Sequence, residues 1–217
     1  MSPGLFITIE GGEGVGKTTL ISGLRHYFSD TGVPVLFTRE PGGSARAEAL
    51  RNVLLSEFDA ENDMTVETEA LIISAARSDH VAHTVLPALK EGRHVVCDRF
   101  ADSTRAYQGH AIDSQKLESI IEFSTHGLRP DITLLLDGDP EKLLTRRVAR
   151  DGTKDRFEVR GLAFHDAVRK RFLRVADQFP SRISVINAEE SPSEVLKSAI
   201  AFIEKKLATH KSTAVLN

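Results

Sequence analysis

The chain has 217 residues, a formal net charge of −3 and one cysteine, Cys97. This length is enough for one α/β domain with a full core, while the charge argues against a broadly basic nucleic-acid-binding face and the single cysteine excludes an internal disulfide. No apolar run approaches the length of a membrane span, and the N-terminus lacks the regions of a signal peptide. We therefore expect a cytoplasmic protein that binds neither nucleic acid nor membranes.

Short apolar segments alternate with longer helical patterns along the chain. The predicted strands are residues 5–10, 34–38, 93–97, 132–136 and 183–187, and the predicted helices are residues 17–30, 44–57, 65–91, 114–126, 140–150, 161–178 and 192–207. This alternation predicts an α/β fold with a parallel, doubly wound sheet. We interpret residues 1–217 as a single domain, with a frayed tail after about Leu207. Ligands of such sheets bind beyond the carboxyl ends of the strands, so the residues that follow each strand are the candidate site.

A glycine-rich loop follows the first predicted strand. The pattern Gly11-x-x-x-x-Gly16-Lys17-Thr18, between a strand and a helix, is typical of a phosphate-binding P-loop. Backbone N–H groups of the loop and the helix N-terminus bind phosphates, Lys17 adds a positive charge for the β- and γ-phosphates, and the Thr18 hydroxyl is placed to bind Mg²⁺. The predicted nucleoside triphosphate site comprises Gly11, Gly12, Glu13, Gly14, Val15, Gly16, Lys17, Thr18 and Thr19.

Charged residues follow the second and third predicted strands. Arg39 is either a cation at the ligand edge or a solvated residue of a surface loop. Asp98 is placed to act on the Mg²⁺ shell or to orient an acceptor, and Arg99 is placed to grip a second phosphate through its planar guanidinium. The alternative for these two residues is an ion pair that caps the strand.

Polar residues in two later segments are further candidates. Arg77 shares a helix face with Ile73 and points either into a cleft or into solvent. Thr104, Tyr107 and Gln108 carry side chains that can hydrogen-bond to a base or sugar, and a helix start capped by Asp102 is compatible with that role.

Residues 141–160 are dense in arginine and contain a flexible Asp-Gly-Thr sequence. The arginines are Arg146, Arg147, Arg150 and Arg156. Such a run is often only a solvated helix face, but near a P-loop it also suits a mobile lid that neutralises charge during phosphoryl transfer. We predict a lid at about residues 141–160.

Together these segments resemble the thymidylate kinase family, which phosphorylates dTMP to dTDP. The resemblance covers about residues 5–206 and rests on Gly-Gly-Glu-Gly-Val-Gly-Lys-Thr-Thr, Phe-Thr-Arg-Glu-Pro-Gly-Gly, Ala-Ala-Arg, Cys-Asp-Arg-Phe, Ser-Thr-Arg-Ala-Tyr-Gln-Gly and Arg-Pro-Asp-Ile-Thr-Leu-Leu-Leu-Asp, in the family's order and spacing. It implies a P-loop kinase with a five-stranded parallel sheet, helices on both faces and an arginine-bearing lid. It also implies ATP with Mg²⁺ as donor, dTMP as acceptor and a homodimer built on helices.

The resemblance implies two groups of residues around the acceptor's phosphate and sugar. Glu13 corresponds to the family's acidic residue near the sugar 3′-hydroxyl, and both Arg39 and Arg99 correspond to arginines on the acceptor phosphate. Gly14 stands where one subtype carries a catalytic arginine. The resemblance is therefore to the bacterial-like subtype, in which a lid arginine supplies that charge, and Arg150 is the candidate, supported by Arg147 and Arg156.

For the base, the resemblance implies that Arg77 hydrogen-bonds thymine and that Thr104 and Gln108 belong to the base-reading segment. Ile73 is a departure, because the family usually has a phenylalanine there that stacks on thymine. Base stacking on an aromatic ring contributes about 1–3 kcal/mol, so the preference for dTMP is open while the kinase chemistry is unaffected.

Three other functions are compatible with parts of the pattern. The first is a P-loop kinase for another nucleoside monophosphate, and the second is a P-loop protein that binds a nucleotide without turnover. The third is a GTPase-type switch, but such proteins need an Asn-Lys-x-Asp motif after a strand, and this sequence has none.

Overall fold

The computed structural model describes residues 4–56, 64–143 and 161–215. In chain order the elements are β1 (Phe6–Gly11), α1 (Lys17–Asp30), β2 (Val35–Arg39), α2 (Ala45–Leu55), α3 (Val66–His80), a π-helical turn (Val81–Val85), α4 (Leu86–Lys90), β3 (His94–Asp98), α5 (Ala101–Tyr107), α6 (Ser114–Thr125), β4 (Ile132–Asp137), α7 (Leu162–Gln178), β5 (Ile183–Asn187) and α8 (Pro192–Val215). No helix in these ranges is long and apolar enough to cross a membrane.

The five strands form one parallel sheet in the order β2-β3-β1-β4-β5. The prediction of a five-stranded parallel sheet is confirmed. The strand that leads into the P-loop is central: Ile9 is in register with Asp98 of β3 on one side, and Gly11 with Leu136 of β4 on the other. This register places the P-loop and Asp98 at the same edge of the sheet.

Apolar side chains cover both faces of the sheet. On one face α1 and α8 pack through residues such as Leu24, Phe28 and Ile203. On the other face the π-helical turn, α4 and α6 pack through residues such as Val85 and Leu117. Because both faces are buried, the central strands are apolar on both sides, which explains their continuous apolar sequence.

The predicted helix at residues 65–91 is divided in the structure. The α-helix ends at His80, five residues form a π-helical turn, and α-helical geometry resumes at Leu86. Pro87 has no N–H to donate, and its ring crowds the carbonyl four residues earlier, so a wider turn is needed at this point.

Two other boundaries differ from the predictions. The short helix α5 was not among the predicted helices. Asp102 does not cap it but lies in its first turn, where it accepts hydrogen bonds from Arg105 at 2.8 Å and from Arg182 at 2.7 Å. The last helix continues to Val215 instead of ending near Leu207.

Candidate active site

A cavity of about 640 Å³ lies at the carboxyl edge of the sheet, between the P-loop, the ends of β2 and β3, and helices α3 and α5. Most of the predicted site residues line it: Glu13, Gly14, Val15, Gly16, Lys17, Thr18, Thr19, Arg39, Ile73, Arg77, Asp98, Arg99, Thr104 and Gln108. Gly11 and Gly12 belong to the same loop. Arg150, with the rest of residues 144–160, lies outside the described residues.

The P-loop has the backbone that its glycines predict. Gly16 is the N-cap of α1 and has a φ of 92°. Residues with a side chain rarely adopt such a positive φ. The Lys17 amine folds back and donates hydrogen bonds to the carbonyl oxygens of Gly11 at 3.2 Å and Gly12 at 2.7 Å. Thr18 is exposed in the first turn of the helix. The loop therefore presents a helix N-terminus and an available hydroxyl to the cavity.

Lys17 is buried close to the Arg99 guanidinium and to several carboxylates. Burial, the largest cause, and the adjacent Arg99 guanidinium together lower the pKa of its amine to about 8, although nearby carboxylates, including Glu13, oppose the shift. Two cations held together in a buried pocket favour a polyanion between them. The positive charges of Lys17 and Arg99 beside the P-loop therefore suit the phosphate chain of a nucleotide.

Arg99 is held between the P-loop and α5. It has a φ of 67° and donates hydrogen bonds to the Gly11 carbonyl oxygen at 3.0 Å and to Glu13 Oε1 at 2.5 Å. Tyr107 also donates to Glu13 Oε1, at 2.9 Å. Burial would lower the pKa of Arg99, but Glu13 and the neighbouring acidic groups raise it above its ordinary value, so Arg99 remains a cation. The alternative of an Asp98–Arg99 cap is not found among the contacts of the described residues.

Asp98 and Thr18 are the predicted magnesium ligands. The Asp98 Oδ1 atom is buried without a hydrogen-bond partner in the described structure, and the Thr18 hydroxyl is exposed in the same cavity. Carboxylate and hydroxyl oxygens suit Mg²⁺, which usually takes one or two protein ligands together with substrate phosphates. The described ranges contain no group of three or more His, Cys, Asp or Glu residues that could hold a metal by themselves.

Arg39 lies at the rim of the cavity. Its guanidinium is half exposed and forms an ion pair with Glu48 at 3.0 Å. Glu48 also accepts a hydrogen bond from the Gly43 N–H at 2.9 Å, and this bond is the main reason that the pKa of its carboxyl is lowered. The ligand-edge interpretation of Arg39 fits this position, although the residue is more solvated than Arg99.

Arg77 is buried rather than solvated, with a side chain only 1 % exposed. Its Nε donates to Glu40 Oε2 at 2.7 Å, and its Nη2 donates to Thr104 Oγ1 at 2.9 Å. Its Nη1 has no hydrogen-bond partner within the described residues. The guanidinium is thus fixed on two sides and retains donor capacity for a ligand.

A hydrogen-bonded network of polar side chains holds the Arg77 partner Glu40 in place. Glu40 Oε1 is 2.9 Å from His80 Nδ1, and His80 Nε2 is 2.8 Å from Thr38 Oγ1. A Cβ atom on Gly43 would lie 2.4 Å from the Thr38 hydroxyl and 2.5 Å from the His80 ring, so the loop packs directly over this network. The end of β2 is therefore connected to α3 through side chains that sequence reasoning did not assign to the site.

Gln108, at the C-terminal end of α5, is another buried polar residue that lines the cavity. Its Nε2 donates to Glu69 Oε2 at 3.1 Å, and both residues are buried. Its Oε1 has no hydrogen-bond partner in the described structure. The sequence did not assign Glu69 to the site, although Glu69, Ile73 and Arg77 follow one another at four-residue intervals and so share a helix face.

Comparison with known proteins agrees with this architecture. The family model described as thymidylate kinase matches residues 9–200. The chain belongs to the thymidylate kinase family. A curated thymidylate kinase of Chromohalobacter salexigens is 44% identical over 212 residues, which cover 96% of this chain and 99% of the relative. One of Rhizorhabdus wittichii is 47% identical over 196 residues, with 89% and 93% covered.

A solved structure shows the same fold. The crystal structure of thymidylate kinase from Ehrlichia chaffeensis superimposes with a TM-score of 0.73 at 32% identity, covering 93% of this chain and 99% of that one. The resemblance read from the sequence motifs is therefore confirmed over nearly the whole chain.

Proposed function

We propose that this chain transfers the γ-phosphoryl group of ATP to dTMP and so forms dTDP, a precursor of dTTP. The observation that carries the proposal is a cavity with the P-loop on one wall and the buried Arg77 on another, where Arg77 Nη1 has no hydrogen-bond partner among the described residues. The P-loop wall, which we call the phosphate end, fits the phosphates of a donor nucleotide. The wall around Arg77, which we call the base end, fits the base of the acceptor. Family membership supports this assignment.

At the phosphate end, we assign charge neutralisation to Lys17 and Arg99. The attacking group is a phosphate oxygen of dTMP, which is already an anion, so catalysis depends on positioning and on charge stabilisation rather than on a strong base. Arg99 and Arg39 would hold the acceptor phosphate against its own charge. Glu13, fixed by Arg99 and Tyr107, would lie near the acceptor sugar.

Thr18 and Asp98 are the residues that would hold Mg²⁺, either directly or through water. When bound, the ion supplies further charge neutralisation on the phosphates. Asp98 has a buried oxygen without a partner in the described structure, and this atom is available for the ion's hydration shell or for orienting the acceptor.

Several further features belong to the proposal. We assign Arg150 to a lid at about residues 141–160 that excludes water, with residues 1–217 forming one cytoplasmic domain. We also propose a homodimer built on helices and no nucleic-acid partner. Exposed apolar side chains on two helices that pack together support the homodimer: Leu71 on α3 is 58% exposed and Phe123 on α6 is 83% exposed.

The experiment is a comparison of acceptors. ADP release from Mg·ATP is measured with dTMP, dUMP, dCMP, dGMP and AMP, and we expect dTMP to be preferred by about tenfold or more. The bases of dCMP, dGMP and AMP present a different hydrogen-bond pattern, and dUMP lacks the 5-methyl group that an apolar wall can contact. Preference for another monophosphate would keep the phosphate assignment and overturn the base assignment. No turnover with any acceptor would overturn the kinase proposal.

A further inference from the structure

Glu69, on α3, is a buried carboxylate that contacts Gln108, a residue of the cavity wall, and the role assigned to it below rests on the proposed function. Glu69 is 1% exposed and accepts a hydrogen bond from Gln108 Nε2 at 3.1 Å. Gln108 lines the cavity, and its Oε1 has no partner in the described structure. A buried polar atom without a partner is costly, so a ligand donor is the natural complement of this oxygen.

The chemistry of the pair fixes the orientation of the Gln108 amide. A carboxylate has only acceptor oxygens, whereas an amide has one acceptor end and one donor end. The NH₂ group must therefore point to Glu69, and the carbonyl oxygen must point away from it. Rotation of the amide by half a turn would place two oxygens against each other in a buried site.

We propose that Glu69 is a positioning residue that sets base selectivity by holding the Gln108 carbonyl as a hydrogen-bond acceptor for the base. Arg77 presents the opposite character, because its Nη1 can only donate and its Nε and Nη2 are engaged by Glu40 and Thr104. The wall thus offers one donor and one acceptor. Thymine and uracil have a C4 carbonyl and an N3–H that match this order, whereas cytosine has an amino group and an unprotonated N3 that oppose it.

The test is Glu69→Gln, which keeps the shape but allows the Gln108 amide to adopt either orientation. We expect kcat/KM for dTMP to fall at least about twofold, because the orientation that accepts a hydrogen bond from the base remains in half of the molecules or fewer, while kcat/KM for dCMP stays the same or rises. The ratio of dTMP to dUMP should stay within about twofold, since both have the same C4 and N3 groups.

Two further variants make the test specific. Glu67→Gln removes the same charge from an exposed position on the first turn of the same helix. It should leave kcat/KM for dTMP, dUMP and dCMP unchanged. The exchange Glu69→Gln with Gln108→Glu restores an oxygen toward the base, because the amide introduced at position 69 then donates to the carboxylate at position 108. We expect the exchange to recover the dTMP over dCMP preference.

The outcomes separate the inference from the proposed function. If the wild-type protein does not prefer dTMP, the proposed function fails. If the wild-type protein prefers dTMP but Glu69→Gln slows dTMP, dUMP and dCMP equally, the residue is only structural and the inference fails. Should Glu69→Gln not fold, the exchange variant decides: retained selectivity supports the inference and lost selectivity overturns it.

Discussion

The two ends of the cavity hold their ligand groups in different ways. At the phosphate end, the groups that would bind phosphates are backbone N–H groups and cations. They belong to a loop with left-handed glycines, a helix N-terminus, Lys17 and Arg99. At the base end, side chains from three separate elements are locked together by two buried carboxylates, Glu40 and Glu69. The first end is suited to any phosphate chain, whereas the second has a fixed donor and acceptor pattern.

This difference shows that the two ends should respond differently to substitution. Changes at the phosphate end should act on turnover, because the charges there are needed most when the phosphoryl group is transferred. Changes at the base end should act on acceptor affinity and on folding stability, because the groups there are buried and mutually dependent.

The largest effect is expected at Lys17. Lys17→Met should lower kcat by about 10²–10³-fold, because it removes a charge directed at the transferred group, while the Kd for dTMP measured by calorimetry changes little. Lys90→Met, at an exposed position on α4, is the control and should match the wild type. An equal loss of dTMP affinity and turnover in Lys17→Met would contradict the separation of the two ends.

Arg77 is expected to give the largest effect at the base end. Arg77→Met should raise the KM for dTMP by tenfold or more and lower the free energy of unfolding by about 3–5 kcal/mol, since Glu40 loses one partner of a buried ion pair. The measurements are acceptor kinetics and chemical denaturation. Arg129→Met removes an exposed arginine paired with Glu122 and should change neither. A comparable loss of ATP affinity in Arg77→Met would contradict the assignment of Arg77 to the base end alone.

Ile73 allows a gain at the base end alone. Ile73→Phe should tighten dTMP binding by about tenfold through stacking on the base, with kcat within about twofold of the wild type. Ile73→Leu is the matched aliphatic control and should not tighten binding. A phenylalanine variant that binds dTMP no better would indicate that the base does not lie against this residue.

The smallest effect is expected from the pair at the rim. Glu48→Gln weakens an exposed contact with Arg39, and exposed ion pairs typically contribute about 0–1 kcal/mol. We expect the KM for dTMP to change by less than about threefold, and the thermal midpoint to shift only slightly. Glu122→Gln, which weakens the exposed pair with Arg129, provides the comparison. A tenfold change in KM would show that the position of Arg39 depends on Glu48.

The phosphate end could be predicted from sequence because its residues follow strands directly. Gly16, Lys17 and Thr18 are contiguous, and Asp98 and Arg99 come at the end of an apolar strand, so the parallel sheet alone brings them to one edge. The sheet itself was predictable for the same reason, since its buried strands are continuous apolar runs between amphipathic segments.

The supporting residues of the base end could not be predicted in the same way. Glu40 and His80 are 40 residues apart, and Glu69 and Gln108 are 39 apart. Charged residues are exposed by default, so burial of Glu40 or Glu69 is visible only when the partner's position in space is known. The sequence offered a helix start at Asp102 only as an alternative for α5, because this helix has seven residues and no side-chain hydrogen bond at its N-cap, Phe100.

The π-helical turn between α3 and α4 constrains the number of residues between these helices as well as their identity. Arg77 lies on one side of it and Leu89, a residue of the core, on the other. Each residue of an α-helix rotates the next by about 100°, so removing one residue from Val81–Val85 would turn the arginine away from the cavity or turn the core residues away from the sheet. Among relatives of this chain, insertions and deletions should therefore be rarer in this turn than substitutions.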